Sequence, residues 1–370
     1  MAVQRSHADL PLHTGDAPSW LFGRMVRLAG SICELVVMDY GPAELLRRLA
    51  DPYWFQAFGC VLGFDWHSSG LTTVTCGAVK EAYKKLGPNL GIHAAGGKGG
   101  VSRKTPAEIE TIAQARSITK GDWLIYSSRL SAKVDSAAVQ DGYQLYHHCF
   151  FFDDAGHWTV VQQGMNDINR YARRYHWFAD APIDFVSEPH SGIITQTPAA
   201  DVLNMVAHES EISRTAIIEI AKDRPTKLLA EVTQGESLFL PAHHHVALAP
   251  SKYRQLENIM AGFEAAPPGS FEQLLGRPGV GPSTVRSLAL VAELVYNAPA
   301  SRRDPARYSF AHGGKDGFPF PVDRTIYDQN NAMLERVIRR AKINPNEKDH
   351  ALKRLQAWLN QQTPPKETQP

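Results

Sequence analysis

The stretch YQLYHHCFFFDDAGHWTVVQQG, Tyr143 to Gly164, constrains the fold more than any other. Its two halves are short and dense in aromatic and β-branched residues, as strands are. Asp153-Asp154-Ala155-Gly156 between them reads as a hairpin turn, so the two strands run antiparallel. WLIYSS, beginning at Trp123, has the same texture and reads as a further strand. Around this small antiparallel sheet the pattern is helical. From Pro18 to about Leu49 apolar residues such as Leu21, Met25, Leu28 and Ile32 recur at three- and four-residue steps, with a break at Gly41-Pro42. GAVKEAYKKL, from Gly77, makes another helix ending near Gly87-Pro88.

After about Ile194 strand-like runs nearly disappear. ADVLNMVAHESEISRTAIIEIAKD, KYRQLENIMAGFEAAP, FEQLL and STVRSLALVAELVYN all read as helices. The expected class is α+β: a mixed α/β domain over 1–194 and a helical domain over 195–362, with the boundary at Ser191 to Thr197. At 370 residues the chain is long enough for two such cores. Asn297 to Pro321, rich in Gly, Pro and charge, exceeds an ordinary connection and marks a functional loop. A final helix spans about Asn330 to Ala341, and 363–370 reads as a disordered tail.

Thirty-nine basic against 38 acidic residues leave a formal charge of +1, so a nucleic-acid partner has to be met by a local patch. Cys33, Cys60, Cys76 and Cys149 form no CxxC pair, which argues against a zinc knuckle or a disulfide framework. The N-terminus lacks an apolar signal core and no run approaches a membrane span. A soluble, cytoplasmic protein is the expectation.

The segment LLGRPGVGPSTVRSLALVAELVY, Leu274 to Tyr296, places Pro-Gly-Val-Gly between two helices. Gly279 and Gly281 would let the turn adopt conformations closed to a Cβ. Amides at the start of the next helix, aided by its dipole, suit a phosphate. Pro282 fits the first helical turn. Val280 lies between the glycines, while Ser283, Thr284 and Arg286 add hydroxyls and a charge at the same mouth. The alternative is a tight turn with no ligand. With Leu274-Leu275 before it and Val285, Leu288, Ala289 and Ala292 after it, the whole pattern favours a sequence-independent grip on DNA.

This stretch resembles the helix-hairpin-helix of the base-excision DNA glycosylase superfamily that includes endonuclease III. The resemblance covers about residues 255 to 345. In that superfamily a Val-Asp pair follows, whose aspartate carries the chemistry; Val322-Asp323 matches it here. The resemblance implies that Asp323 stabilises the cationic sugar or activates the attacking water. The superfamily's strand-cleaving lysine falls on Ser283, so imine chemistry is not implied, and 42 residues separate Gly281 from Asp323, about twice the usual spacing. A plain helix start is the other reading of Val-Asp-Arg-Thr. The whole chain, through FDWHSSG, GGKGGVSRKTP, KVDSAAVQDGYQLYHH and FAHGGKDGFPFPVDR, also resembles an archaeal and bacterial family known only as a domain of unknown function.

The first half holds its own candidates. GIHAAGGKGGVSRKTP lacks the glycine spacing of a P-loop, but Lys98, Arg103 and Lys104 make a basic loop able to meet a phosphate backbone. Lys133, Asp135, Asp141, His147 and His148 cluster in sequence, and Asp65 and His67 could complete a divalent-metal site for phosphodiester cleavage. Of the adjacent His147 and His148 at most one can be a ligand, since a strand turns them apart. YARRYHWF interleaves Arg173 and Arg174 with aromatic rings, a texture suited to single-stranded nucleic acid or to a packed edge strand. His243-His244-His245 reads as a polar turn. Three functional classes follow: a glycosylase-like DNA-repair enzyme using Asp323, a metal-dependent nuclease with its site in the first domain, or a non-catalytic DNA-binding protein. No cofactor is required unless the nuclease metal is present.

Overall fold

The computed structural model describes residues 19–64, 69–195, 199, 201–223, 250–306 and 324–362. Its strands are β1 (Ile92–Lys98), β2 (Val139–Gln140), β3 (Gln144–Asp153), β4 (Trp158–Asn166), β5 (Tyr171–Ala179), β6 (Gly192–Ile194) and β7 (Leu203–Asn204). Five of them form one antiparallel sheet in the order β1-β3-β4-β5-β6, and β2 pairs with β7 apart from it. The Asp153–Gly156 turn joins β3 to β4 as its sequence requires. Gly156 sits at φ 85°, its amide donates to the Asp153 carbonyl at 3.1 Å, and Asp153 Oδ1 accepts from the His157 amide at 2.9 Å.

The sheet is buried on both faces, and this explains the unbroken apolar run at its centre. Alternation along β3 turns Phe150 and Phe152 toward one hydrophobic core, and Cys149 and Phe151 toward another. Each fully buried phenylalanine contributes about 1.5–3 kcal/mol. On the Phe151 side lie α1 (Ser19–Tyr40), α2 (Pro42–Ala50), α3 (Pro52–Leu62) and α4 (Gly70–Leu90). On the Phe150 side lie α5 (Thr105–Arg116), α6 (Gly121–Lys133), α7 (Glu211–Lys222), α8 (Pro250–Ala265), α9 (Phe271–Gly276) and α10 (Pro282–Tyr296). The last two helices, α11 (Arg324–Arg340) and α12 (Pro345–Gln362), return to the first layer, where Leu334, Val337, Leu355 and Trp358 pack with residues of α1 and α3. Helices from both sides of position 194 thus share the two cores, and that boundary marks a change in composition across which packing is continuous.

A mixed α+β fold with a small antiparallel sheet is what the sequence predicts, and the helix break at Gly41-Pro42 lies where it was placed, with Gly41 at φ 88° and Pro42 in the first turn of α2. Three local expectations are corrected. WLIYSS is helix α6, because Leu124, Ser127, Ser128, Leu130 and Ser131 are its buried positions and recur at helical steps. Residues 201–210 hold β7 and one short 3-10 turn, so that helix begins only at Glu211. Past Ala341 an entire further helix, α12, follows. The His243–His245 tract and the 363–370 tail lie outside the described residues.

Candidate active site

α6 runs over the Phe150 face of the sheet and ends in a π-helical turn, Val134–Ala138, the wider winding often found where a chain carries function. That turn lays Asp135, fully buried, against β4 and β5. Its carboxylate is compensated by three N–H donors: Gln162 Nε2 at 2.6 Å and Trp177 Nε1 at 2.9 Å on Oδ2, and His190 Nε2 at 2.5 Å on Oδ1. Because the amide nitrogen of Gln162 must face Asp135, its oxygen faces the other way, 2.8 Å from His148 Nδ1. His148 Nδ1 therefore carries the proton and donates, which leaves Nε2 as an acceptor. The Ser128 hydroxyl, one helical turn before the end of α6, lies 2.9 Å from that nitrogen and donates to it. The result is one ordered chain, Ser128 to His148 to Gln162 to Asp135. Burial lowers the pKa of His148 from its ordinary value, so the ring is neutral at physiological pH.

The chain opens on a cavity of about 680 Å³, within the size range of ligand pockets. Ser128, His148 and Gln162 line its wall, and Arg103, Arg129 and Lys133 line it with positive charge against the one carboxylate of Asp122. Arg103 and Arg129 are exposed, while Lys133 is half-buried, with a pKa lowered by desolvation. Gly276, the last residue of α9, completes the rim.

The hairpin is fixed to this wall. Lys133 Nζ donates to the carbonyl of Val280, Gln140 Nε2 donates to that of Pro282 at 2.9 Å, and Arg286 Nε donates to Gln140 Oε1 at 3.0 Å. Val280 is buried in the core, and so are Leu274, Leu275, Val285, Leu288, Ala289 and Ala292. Gly279, at φ 83°, is exposed and occupies the left-handed region that favours glycine. Gly281 corrects the expectation made for it: φ −147° and ψ −170° are open to any residue. Among the described residues, none accepts a hydrogen bond from the amides of Gly281 and Ser283, whereas the Val285 amide already donates to the Gly281 carbonyl at 3.1 Å. Thr284 is buried.

The other sequence candidates divide sharply. Lys98 and Lys104 are exposed on either side of Arg103. Arg173 and Arg174 are both fully buried, which overturns their reading as contacts to a single strand. Arg173 is clamped by Asp141 at 2.8 Å and by both oxygens of Asp304 at 2.7 and 3.0 Å, and Arg174 reaches Gln56 at 3.1 Å over the ring of Phe55. Asp141 also accepts from Tyr175 at 2.7 Å and from the Tyr143 amide at 3.1 Å. With Asp135 and Asp141 each committed to separate sets of donors, the pair does not fit a shared divalent metal. Among the described residues no three His, Cys, Asp or Glu side chains are grouped to hold one. His147, beside His148 on the strand, is buried and also lines the cavity, and among the described residues neither of its ring nitrogens has a partner. Asp65, His67 and Asp323 lie outside the described residues.

The sequence reading missed Ser128, Gln162, His190 and Arg129. A helical reading of residues 121–133 would have put Ser127, Ser128 and Ser131 on one face, and period-two alternation would have put His148 with Phe150 and Phe152. The four cysteines are free and buried, and no described helix is long and apolar enough to cross a membrane. No curated protein and no solved structure matches the chain. Residues 6–322 match the model of the family described as Protein of unknown function (DUF763), more than four-fifths of the sequence, and the chain belongs to that family.

Proposed function

We propose that the protein is a DNA-binding, repair-type hydrolase in which the hairpin of residues 271–296 holds backbone phosphates and the adjoining cavity acts on the strand delivered to it. One observation carries the reading: the turn of the hairpin and the cationic cavity share a wall, through Lys133 on the Val280 carbonyl and Gly276 on the rim. The two amides at the start of α10 that have no acceptor among the described residues, with Ser283, supply donors for one phosphate, and Arg103, Lys104 and Arg129 supply charge for its neighbours. The adjacency of hairpin and cavity gives the duplex a path to the Ser128–His148 pair. The glycosylase form of the reading rests on Asp323, whereas the described geometry favours chemistry in the first half of the chain.

Fluorescence anisotropy with labelled duplexes of unrelated sequence tests this. About four phosphate contacts predict a log–log salt slope near −4 and similar affinities for all sequences. Gly279→Pro should weaken binding to each duplex alike. A flat salt response, or unchanged affinity in that variant, contradicts the reading.

A further inference from the structure

We propose that Ser128 is a catalytic nucleophile, activated by His148, that cleaves a phosphodiester through a phosphoserine intermediate; this deepens the hydrolase reading above and rests on it for the substrate class. The geometry is that of a hydroxyl–imidazole pair with a third group fixing the ring. Ser128 Oγ lies 2.9 Å from His148 Nε2, His148 Nδ1 lies 2.8 Å from Gln162 Oε1, and Gln162 is locked in turn by Asp135 at 2.6 Å. An amide that can only accept at its oxygen holds the ring in the one tautomer able to take a proton from serine.

The neighbouring serines show that burial alone does not produce this arrangement. Ser131 Oγ donates back to the Ser128 carbonyl at 3.2 Å, as helical serines commonly do, and the Ser127 hydroxyl has no partner among the described residues. Of the three buried serines on α6, Ser128 faces an imidazole and also lines the cavity. A helix needs no such contact for its stability. Three cations on the cavity wall against one carboxylate select an anionic ester over a neutral one.

The steps balance with water as the sole co-reactant. Ser128 gives its proton to His148 Nε2 while Oγ bonds to phosphorus. The bond from phosphorus to the leaving oxygen breaks, and the imidazolium returns its proton to that oxygen, releasing an alcohol end. Water then gives a proton to His148 and bonds to phosphorus, the Oγ–phosphorus bond breaks, and the proton passes to Oγ. Arg103 and Arg129 supply positive charge for the phosphoryl oxygens as negative charge gathers on them. Gln162 and Asp135 are positioning residues.

Diisopropyl fluorophosphate, a small electrophile that phosphorylates activated serines, tests the assignment on the full-length protein without any DNA. The expected result is one stoichiometric adduct, mapped by peptide mass spectrometry to Ser128 in the wild-type chain. Labelling should slow as pH falls and His148 takes up a proton, and His148→Gln should slow it by about a hundredfold or more. Ser128→Ala, with its circular dichroism checked, should abolish it. No adduct on the wild-type protein, or an adduct mapping elsewhere, overturns the proposal. The two readings fail separately. Labelled Ser128 in a chain that does not bind DNA sinks the DNA partner and keeps the nucleophile, whereas DNA binding without labelling does the reverse.

Discussion

At the scale of single residues, the buried histidines set the response to acid. His147 is buried with no hydrogen bond at either nitrogen among the described residues, and burial, helped by His148 and Lys98, lowers its pKa from 6.5 to about 3. In the unfolded chain the ring takes a proton near 6.5, whereas in the folded chain it resists protonation until about 3. Between those values the unfolded state binds more protons, so this residue's contribution is complete above about 6.5 and is lost as pH falls. His147→Leu removes the proton and an unsatisfied polar group while keeping an apolar filling. Urea unfolding at a series of pH values should show the slope of stability against pH, between about pH 4 and 6, reduced by about 1.4 kcal/mol per unit. An unchanged slope would mean that the ring finds a proton acceptor, or water, in the folded state.

At the scale of elements, the hairpin has two glycines that the sequence treats alike and the backbone does not. Gly279→Ala forces a Cβ into φ 83°, which costs about 1–2 kcal/mol, whereas Gly281→Ala at φ −147° meets only the Gly279 carbonyl oxygen, at 3.9 Å. Thermal or urea unfolding of the two variants should separate them by at least about 1 kcal/mol; equal losses would show that both positions rest on packing. The same contrast explains what was legible beforehand. The β3–β4 hairpin could be read because texture and turn chemistry agree there, and Gly41-Pro42 because both residues punctuate. α6 could not, because Trp123, Ile125 and Tyr126 carry strand-like propensities that tertiary contact overrides: the Ser128 hydroxyl and the Ser131 carbonyl meet His148 and Gln162 only once β3 and β4 are in place. The site was hidden for a related reason. Ser128, Asp135, His148 and Gln162 come from a helix, a π-helical turn and two strands, and nothing in their linear spacing announces a single chain of hydrogen bonds. Arg173 and Arg174 show the opposite error. Local interleaving with rings suggested a surface, but Asp141, Asp304 and Gln56, which hold them inside, arrive from far along the chain.

At the scale of the molecule, the consequence of sharing one sheet is mechanical. Both cores are built on the same strands: Phe150, Val160 and Trp177 belong to one, and Phe151, Val161 and Cys149 to the other. A layer of helices cannot leave without exposing strands whose opposite face is then packed on one side only, so loosening either layer should loosen both. All four cysteines lie in the second core, which makes thiol reactivity a reporter of that layer alone. Leu288, on α10, lies in the first. Leu288→Ala deletes buried methyl groups at a cost of about 2–5 kcal/mol. If the layers open together, labelling of the cysteines in native buffer accelerates by the same free energy, roughly thirtyfold or more at 1.4 kcal/mol per tenfold. If the layers open separately, the thiols keep their wild-type rate although the hairpin layer is weakened. In that second outcome the hairpin layer could move against the sheet independently, and the wall it shares with the Ser128 cavity would be a joint and not a fixed support.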